Sequence, residues 1–355
     1  MLTHTTINFS QANPMKSESK YILAGDIGGT KTNLGIFRPQ ADGLKEIDSV
    51  TYSSRTARGL EEMIAAMLAR QSVSVSAACF GVAGPVVAGA ADLPNLDWSV
   101  SENSLRRAFG WQQVQIINDL VATAIAAPRL NPSALTILNQ GEPKLDGNLA
   151  VIAPGTGLGL ALMIAGSGRY QPVASEGGHA DFAPNDEAEA DLWRFCHQRF
   201  GHVSAERVLS GQGLVNIFEW LRSSDERKPI PAVLQDMAFE DPAAVITRHA
   251  LADDDVLCRE ALQRFCRIFG AVAGNLALAG MATGGVYLGG GIPPKIMPAL
   301  QTAAFMEGFT AKGRFSDFMQ AIPVLVICED RAALFGAAQR AYELAALKGE
   351  NHDNG

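Results

Sequence analysis

An apolar run of strand length, a glycine-threonine turn and a second run of alternating apolar residues occur twice in this chain. The first copy is YILAGD, GGTKT and NLGIF, starting at Tyr21, and the second is LAVIAPGTGLGLALMIAG over 149–166. Gly29-Thr30 and Gly155-Thr156 are the matching points. Leu34 and Ile36 alternate in period two, so the first unit reads as strand, tight turn, strand. Glycine lets a backbone come close to a ligand, and two such hairpins facing each other would hold one polyphosphate from both sides. Short turns of this composition are common, so the repeat needs support from the rest of the chain. Its 355 residues exceed the usual size of a single core, and two lobes with a cleft are expected.

Between the copies, the pattern predicts a strand near Ile47–Tyr52, a helix from about Gly59 to Arg70 and a buried strand in VSAACFGVAG. Another strand stops at Asn118-Asp119 and turns into an alanine-rich helix, and Pro128–Pro132 offers a boundary. Further on, helices are expected over Asp186–Arg199, Ala205–Leu221, Asp253–Met281 and Arg331–Leu347, with strands at Gly285–Leu288 and Pro323–Cys328. No charge occurs between Arg267 and Lys295, but this stretch is mostly alanine and glycine, contains Asn275 and breaks at Gly284-Gly285. It reads as a buried helix and strand, not as a membrane span.

Apolar residues make up 47% of the chain and charged ones 19%, which excludes a disordered protein. The net charge is −8 and no Lys/Arg cluster is present, so nucleic acid is not an expected partner. Cys79, Cys196, Cys258, Cys266 and Cys328 never form a CxxC pair, which argues against a disulfide framework or a zinc cluster and for a reducing compartment. Residues 1–20 lack a signal-peptide core and read as a flexible tail, with Met15 an alternative start to Met1.

GDIGGTKT nearly matches the P-loop pattern, but a P-loop runs into a helix whose amides hold the phosphates, whereas NLGIF continues as strand. Asp26 is the second objection: a bare carboxylate at a phosphate cradle repels the ligand unless a divalent cation intervenes. Asp26 therefore reads either as a group holding Mg²⁺ through water or as a residue that ends a strand. Gly28 stands where an aspartyl-phosphatase motif needs its second carboxylate, and a GxGxxG fingerprint is missing.

GDIGGTKTNLGIF, FGVAGPV, INDLVATA, APGTGLG, SEGGHADFAP, AERVLSGQGL and GGVYLGGGIPPKI follow in order from about Tyr21 to about Ala346. Together they resemble the bacterial-type glucokinases of the hexokinase, actin and sugar-kinase superfamily. The related ROK kinases carry a CxCGxxGC zinc motif after the sugar-binding histidine; here only the isolated Cys196 follows His179, which favours the non-zinc branch. The resemblance implies an α/β, two-lobed, duplicated ribonuclease-H-like fold with a central cleft. The lobes would be 21–128 plus 330–347 and 129–329, with a second flexible tail at 348–355.

It also implies ATP-dependent phosphorylation of the 6-hydroxyl of D-glucose, with Mg²⁺, in the cytoplasm and away from membranes, by a protein that the family suggests is a homodimer. Asp119 would take the hydroxyl proton and Asn118 would bind another ring hydroxyl; from position alone, Asp119 equally fits a helix N-cap. Glu176 and His179 of SEGGH, with Glu206, would bind further hydroxyls. The plainer readings are an acidic turn for SEGGH and a helix-dipole partner for Glu206. Gly25, Asp26, Ile27, Gly28, Gly29, Thr30 and Lys31 would form the first phosphate hairpin, and Gly155 and Thr156 the second. Gly289, Gly290 and Gly291 match the adenosine motif, or else a tight strand-to-helix turn before a Pro-started helix at 293–302. Asn95 and Trp98 sit in a loop that would add to the sugar site. The rivals are a kinase of another hexose, a non-catalytic sugar sensor and an actin-like filament protein, in which Asn118-Asp119 and SEGGH would have no purpose.

Overall fold

The computed structural model describes residues 21–350 apart from 42, 72, 94–95, 167 and 225–227. The expected tail at 1–20, with Met15, lies outside these residues, as do Asn95 and positions 351–355. Contacts divide the chain into two compact units, one containing the residues up to Leu135 and from Glu329 onward, the other Thr136–Cys328.

The first unit contains β1 (Tyr21–Ile27), β2 (Lys31–Gln40), β3 (Gly43–Ser53), α1 (Leu60–Arg70) and β4 (Val75–Val82). A small hairpin follows, β5 (Ala90–Asp92) with β6 (Ser99–Ser101), then α2 (Glu102–Phe109), β7 (Gln113–Asn118) and α3 (Asp119–Ala126). The sheet order is β3-β2-β1-β4-β7. β1, β2 and β3 are antiparallel neighbours, while β4 runs parallel to β1 and to β7. The apolar positions of α1 recur at helical spacing, so Leu60, Met63, Ile64 and Met67 are all buried, in one core with Leu23, Ile27, Leu34 and Phe80. A C-terminal helix, Ala332–Glu350, packs on α3 and β1.

The second unit contains β8 (Leu135–Asn139), β9 (Leu149–Pro154), β10 (Leu158–Gly166), β11 (Arg169–Ser175), β12 (Gly285–Leu288) and β13 (Val324–Ile327), in the order β11-β10-β9-β12-β13-β8. Setting β8 aside as an added edge, both sheets read third, second, first, fourth, fifth, with an antiparallel hairpin followed by parallel strands. The duplicated ribonuclease-H-like order expected from the sequence is present in each unit.

The helices of this unit are α4 (Glu187–Phe200), α5 (Gly211–Ser224), α6 (Pro231–Met237), α7 (Pro242–Ala252), α8 (Val256–Gly280), α9 (Met297–Leu300), α10 (Ala303–Thr310) and α11 (Ser316–Gln320). The uncharged alanine-glycine stretch serves helix contact: a Cβ at Gly270 of α8 would lie 1.9 Å from the Phe305 carbonyl oxygen of α10. Phe269 packs edge-on against Phe305 beside it, with centroids 5.3 Å apart. Among the described residues, no helix is long and apolar enough to cross a membrane.

Three helix expectations need correction. The helix expected over Ala205–Leu221 is a 3₁₀ turn at Ala205–Arg207 followed by α5, because Ser210 Oγ accepts from Gly213 N at 3.0 Å and starts a new helix there. Asp253 ends α7 in the left-handed region at φ 57°, and Asp255 caps α8 by accepting from Cys258 N at 2.8 Å. The Pro-started helix at 293–302 is a 3₁₀ turn, Pro293–Ile296, with one turn of α9.

Candidate functional site

In the first unit, strand register brings two carboxylates to one region of the sheet. Asp26 on β1 pairs with Gly81 on β4, and Gly81 pairs with Ile117 on β7, next to the start of α3. A Cβ at Gly81 would lie 3.2 Å from Ala122 Cβ and 3.5 Å from Asp119 Cα, so a side chain there would crowd the first turn of α3. With glycine at that place, β4 interposes no side chain between Asp26 and Asp119.

The N-cap of α3 is Asn118, not Asp119. Its Oδ1 accepts from Leu120 N at 2.9 Å and Val121 N at 3.3 Å, while Nδ2 donates to Gly84 O at 3.1 Å. Asp119 accepts from the Leu120 amide at 2.8 Å through Oδ1. Burial, followed by the charge of Asp26, pushes its carboxyl up to about 6, against the opposing pull of that amide. Burial also raises Asp26, opposed by Asn33, whose Nδ2 donates to it at 3.2 Å. Thr51 Oγ1 in turn holds Asn33 by donating to its Oδ1 at 2.8 Å.

The β1–β2 turn is closed by Gly28 N donating to Lys31 O at 2.9 Å, which leaves Gly29 and exposed Thr30 at the tip. Gly25 is buried, with Phe80 where its side chain would be, and Ile27 is core; their part is to carry Asp26 and Gly28. Ser54, which the sequence did not single out, is buried beneath the turn. Its hydroxyl donates to Gly28 O at 2.7 Å and its amide to Thr30 O at 2.9 Å. In TYSSRT nothing distinguishes it from a surface serine. Trp98 Nε1 donates to Ser54 O at 3.4 Å, so the indole N–H braces this corner.

In the second unit, the expected residues gather around the β9–β10 turn. Gly155 N donates to Gly157 O at 2.8 Å, and Gly155 O accepts from Gly211 N at 2.9 Å, which ties the turn to the start of α5. Thr156 is exposed at the tip. Leu158 N donates to Glu206 Oε2 at 2.9 Å, and Gly178 lies against Leu158 O, where a Cβ would come within 2.0 Å. The SEGGH loop is stitched to the Glu206 segment by Ala205 N donating to Ala180 O at 2.9 Å. Glu176 and His179 are exposed, and His179 O accepts from His202 Nε2 at 3.1 Å. Gly289 N donates to Ile152 O at 2.9 Å; Gly290, at φ 85°, lies where a Cβ would be 2.6 Å from Pro154 O, with exposed Gly291 beside it. Glu206 and the three glycines thus border one turn, although they are far apart in sequence.

Among the described residues, no three metal-ligating side chains gather into a cage. The donor set at Asp26 and Asp119 is instead two carboxylates raised by burial, of which Asp26 also acts electrostatically on Asp119. That arrangement suits a divalent cation held by one or two carboxylates together with substrate phosphates and water. All five cysteines are free, four of them buried and Cys328 exposed.

Twin sheets of one strand order, each opening on a glycine-threonine hairpin, define the two-lobed actin- and hexokinase-type class to which sugar kinases belong. The sequence profile of the family described as Glucokinase matches residues 23–344. A glucokinase from Caulobacter sp. (strain K31) is 40% identical over 317 residues, covering 89% of this chain and 93% of the relative. The crystal structure of glucokinase from an Antarctic psychrotroph superposes with a TM-score of 0.82 at 31% identity, over 92% of this chain and 100% of that one. Glucokinase from Balamuthia mandrillaris, solved with glucose, shares the fold at a TM-score of 0.73 and 21% identity, over 91% of this chain and 94% of that one. The chain belongs to the glucokinase family, and is a sugar-phosphorylating enzyme.

Proposed function

We propose that the chain transfers the γ-phosphoryl group of ATP to the 6-hydroxyl of D-glucose, with Asp119 as general base. The observation that carries this reading is the Asp119 carboxyl: it stands on the first residue of α3, its pKa is pushed up to about 6, and another residue, Asn118, does the capping. A base that titrates near 6 is ionised at neutral pH yet basic enough to accept a proton as the new bond forms. The O6 proton passes to Asp119, the O6–phosphorus bond forms, and the bond to the bridging β-phosphate oxygen breaks, giving glucose 6-phosphate and ADP.

The hairpin tips at Gly29-Thr30 and Thr156 supply amide and hydroxyl donors for phosphate oxygens, with Lys31 adding charge. Gly28 and Gly155 shape those tips, because their own amides close the turns. Gly289, Gly290 and Gly291 present bare backbone to the nucleoside. Mg²⁺, held near Asp26 through water, would neutralise phosphate charge. Asn118, Glu176, His179 and Glu206 are the sugar-hydroxyl ligands in this reading. A site of such groups rejects epimers by leaving polar atoms unpaired once the bound sugar covers them. The homodimer and the cytoplasmic location rest on family likeness.

A sugar panel with coupled ADP detection tests the assignment, alongside glucose calorimetry on Asp119→Asn. Turnover on glucose, abolished in the variant while glucose still binds, is the expected result. Turnover confined to another hexose would move the substrate, and glucose binding without turnover in the unaltered protein would make it a sensor.

A further inference from the structure

We infer that Ser54 is a positioning residue for the nucleotide, aiming the Gly29 amide at the phosphates; this rests on the proposed role of the first hairpin. Ser54 follows β3 and is fully buried, as is Thr32 on β2. The two hydroxyls are 2.9 Å apart, and Ser54 Oγ also donates to Gly28 O at 2.7 Å. A serine hydroxyl has one hydrogen, which goes to Gly28, so Thr32 Oγ1 is the donor to Ser54 Oγ. The result is a directed relay from Thr32 through Ser54 to the Gly28 carbonyl.

That carbonyl belongs to the peptide joining Gly28 and Gly29. A trans peptide is planar, with its C=O and N–H pointing in opposite directions. Fixing Gly28 O on Ser54 therefore turns the Gly29 N–H away from the core, at the tip of the turn, where it has no acceptor among the described residues. Glycine on both sides leaves this peptide few steric restraints on rotation, so the hydroxyl supplies what side chains would otherwise impose. Ser54 N holds the Thr30 carbonyl at 2.9 Å on the other side of the tip, and Trp98 bonds the Ser54 carbonyl at 3.4 Å.

The test measures ATP kinetics at saturating glucose, with glucose affinity determined by calorimetry without nucleotide. Ser54→Ala should lower kcat/KM for ATP about tenfold, the weight of one hydrogen bond to a charged group, while glucose affinity stays within about twofold. Ser54→Cys, close in size and a weaker donor, should fall between serine and alanine and serves if the alanine protein folds poorly. Thr32→Val removes only the hydrogen bond that orients Ser54 Oγ and leaves the bond to Gly28 O in place, so it should lower the melting temperature and reduce kcat/KM for ATP by less than Ser54→Ala does. Equal kinetic shifts in Ser54→Ala and Thr32→Val would reduce Ser54 to a structural group and overturn the inference. Thr30→Val separates the two levels of the proposal. If it weakens ATP use while Ser54→Ala does not, the hairpin keeps its role and Ser54 loses its own; if neither variant moves, the hairpin reading fails and the role of Ser54 with it.

Discussion

Replacing Asp119 with asparagine should stabilise this protein while it abolishes turnover. Burial and the Asp26 charge raise the Asp119 carboxyl from an ordinary 3.8 to about 6, so at neutral pH the folded state holds a carboxylate that would be more at ease unfolded. A carboxyl raised in this way favours folding fully below its unfolded value and loses that contribution as pH rises through the folded one. Above pH 6 the ionised form costs about 3 kcal/mol, an upper limit because residual water screens it. Asparagine keeps the acceptor for the Leu120 amide and removes the charge. In scanning calorimetry of the free protein at pH 8, Asp119→Asn should melt higher, at about 2–4 °C per kcal/mol. The gap should shrink to about half at pH 5, because there the native aspartate is largely protonated. Activity runs the other way: kcat/KM for glucose should rise with pH through an apparent pKa near 6, and Asp119→Asn should lower kcat by about 10²–10⁴. A melting gap of equal size at both pH values, or a variant less stable at pH 8, would show that Asp119 is not a strained carboxylate.

Asp26→Asn removes the charge acting on Asp119, so the acidic limb of the pH profile should move below 6 and the magnesium requirement should rise; an unmoved limb would refute the electrostatic coupling. Glu206→Gln retains an oxygen for the Leu158 amide, and calorimetry should find the melting temperature nearly unchanged while the KM for glucose rises about tenfold. A fall in stability without a change in KM would make Glu206 a brace for the turn alone. Gly290→Ala brings a Cβ within 2.6 Å of Pro154 O at φ 85°, which should destabilise the protein by about 1–3 kcal/mol in urea unfolding and raise the KM for ATP; an unchanged midpoint would mean the turn relaxes freely.

Much of the secondary structure that carries the candidate site was visible in the linear chain because it is local. A Gly-Thr turn between two alternating runs dictates a hairpin, and both hairpins formed at those positions, β1–β2 and β9–β10. The strand that stops at Asn118-Asp119 before an alanine-rich run became β7 and α3, since a polar pair at that junction both ends a strand and caps a helix. Periodicity misled where a side chain has a distant partner. Glu206 reads as a residue inside a helix beginning at Ala205, but its carboxylate is on the Leu158 amide and the helix begins later, at the Ser210 cap.

Residue types and their order were therefore enough to determine the duplicated hairpins, the buried character of the alanine-glycine stretch and the acid that stands at the start of α3. Tertiary structure alone decided that Asn118 takes the capping bonds, that Gly81 interposes no side chain between two carboxylates, and that Ser54 lies under the Gly28 carbonyl. The last two depend on strand register and on contacts between residues far apart in sequence, 26 positions for Ser54 with Gly28. Desolvation, which gives Asp119 its raised pKa, is a property of the packed surroundings and is absent from any short stretch of sequence.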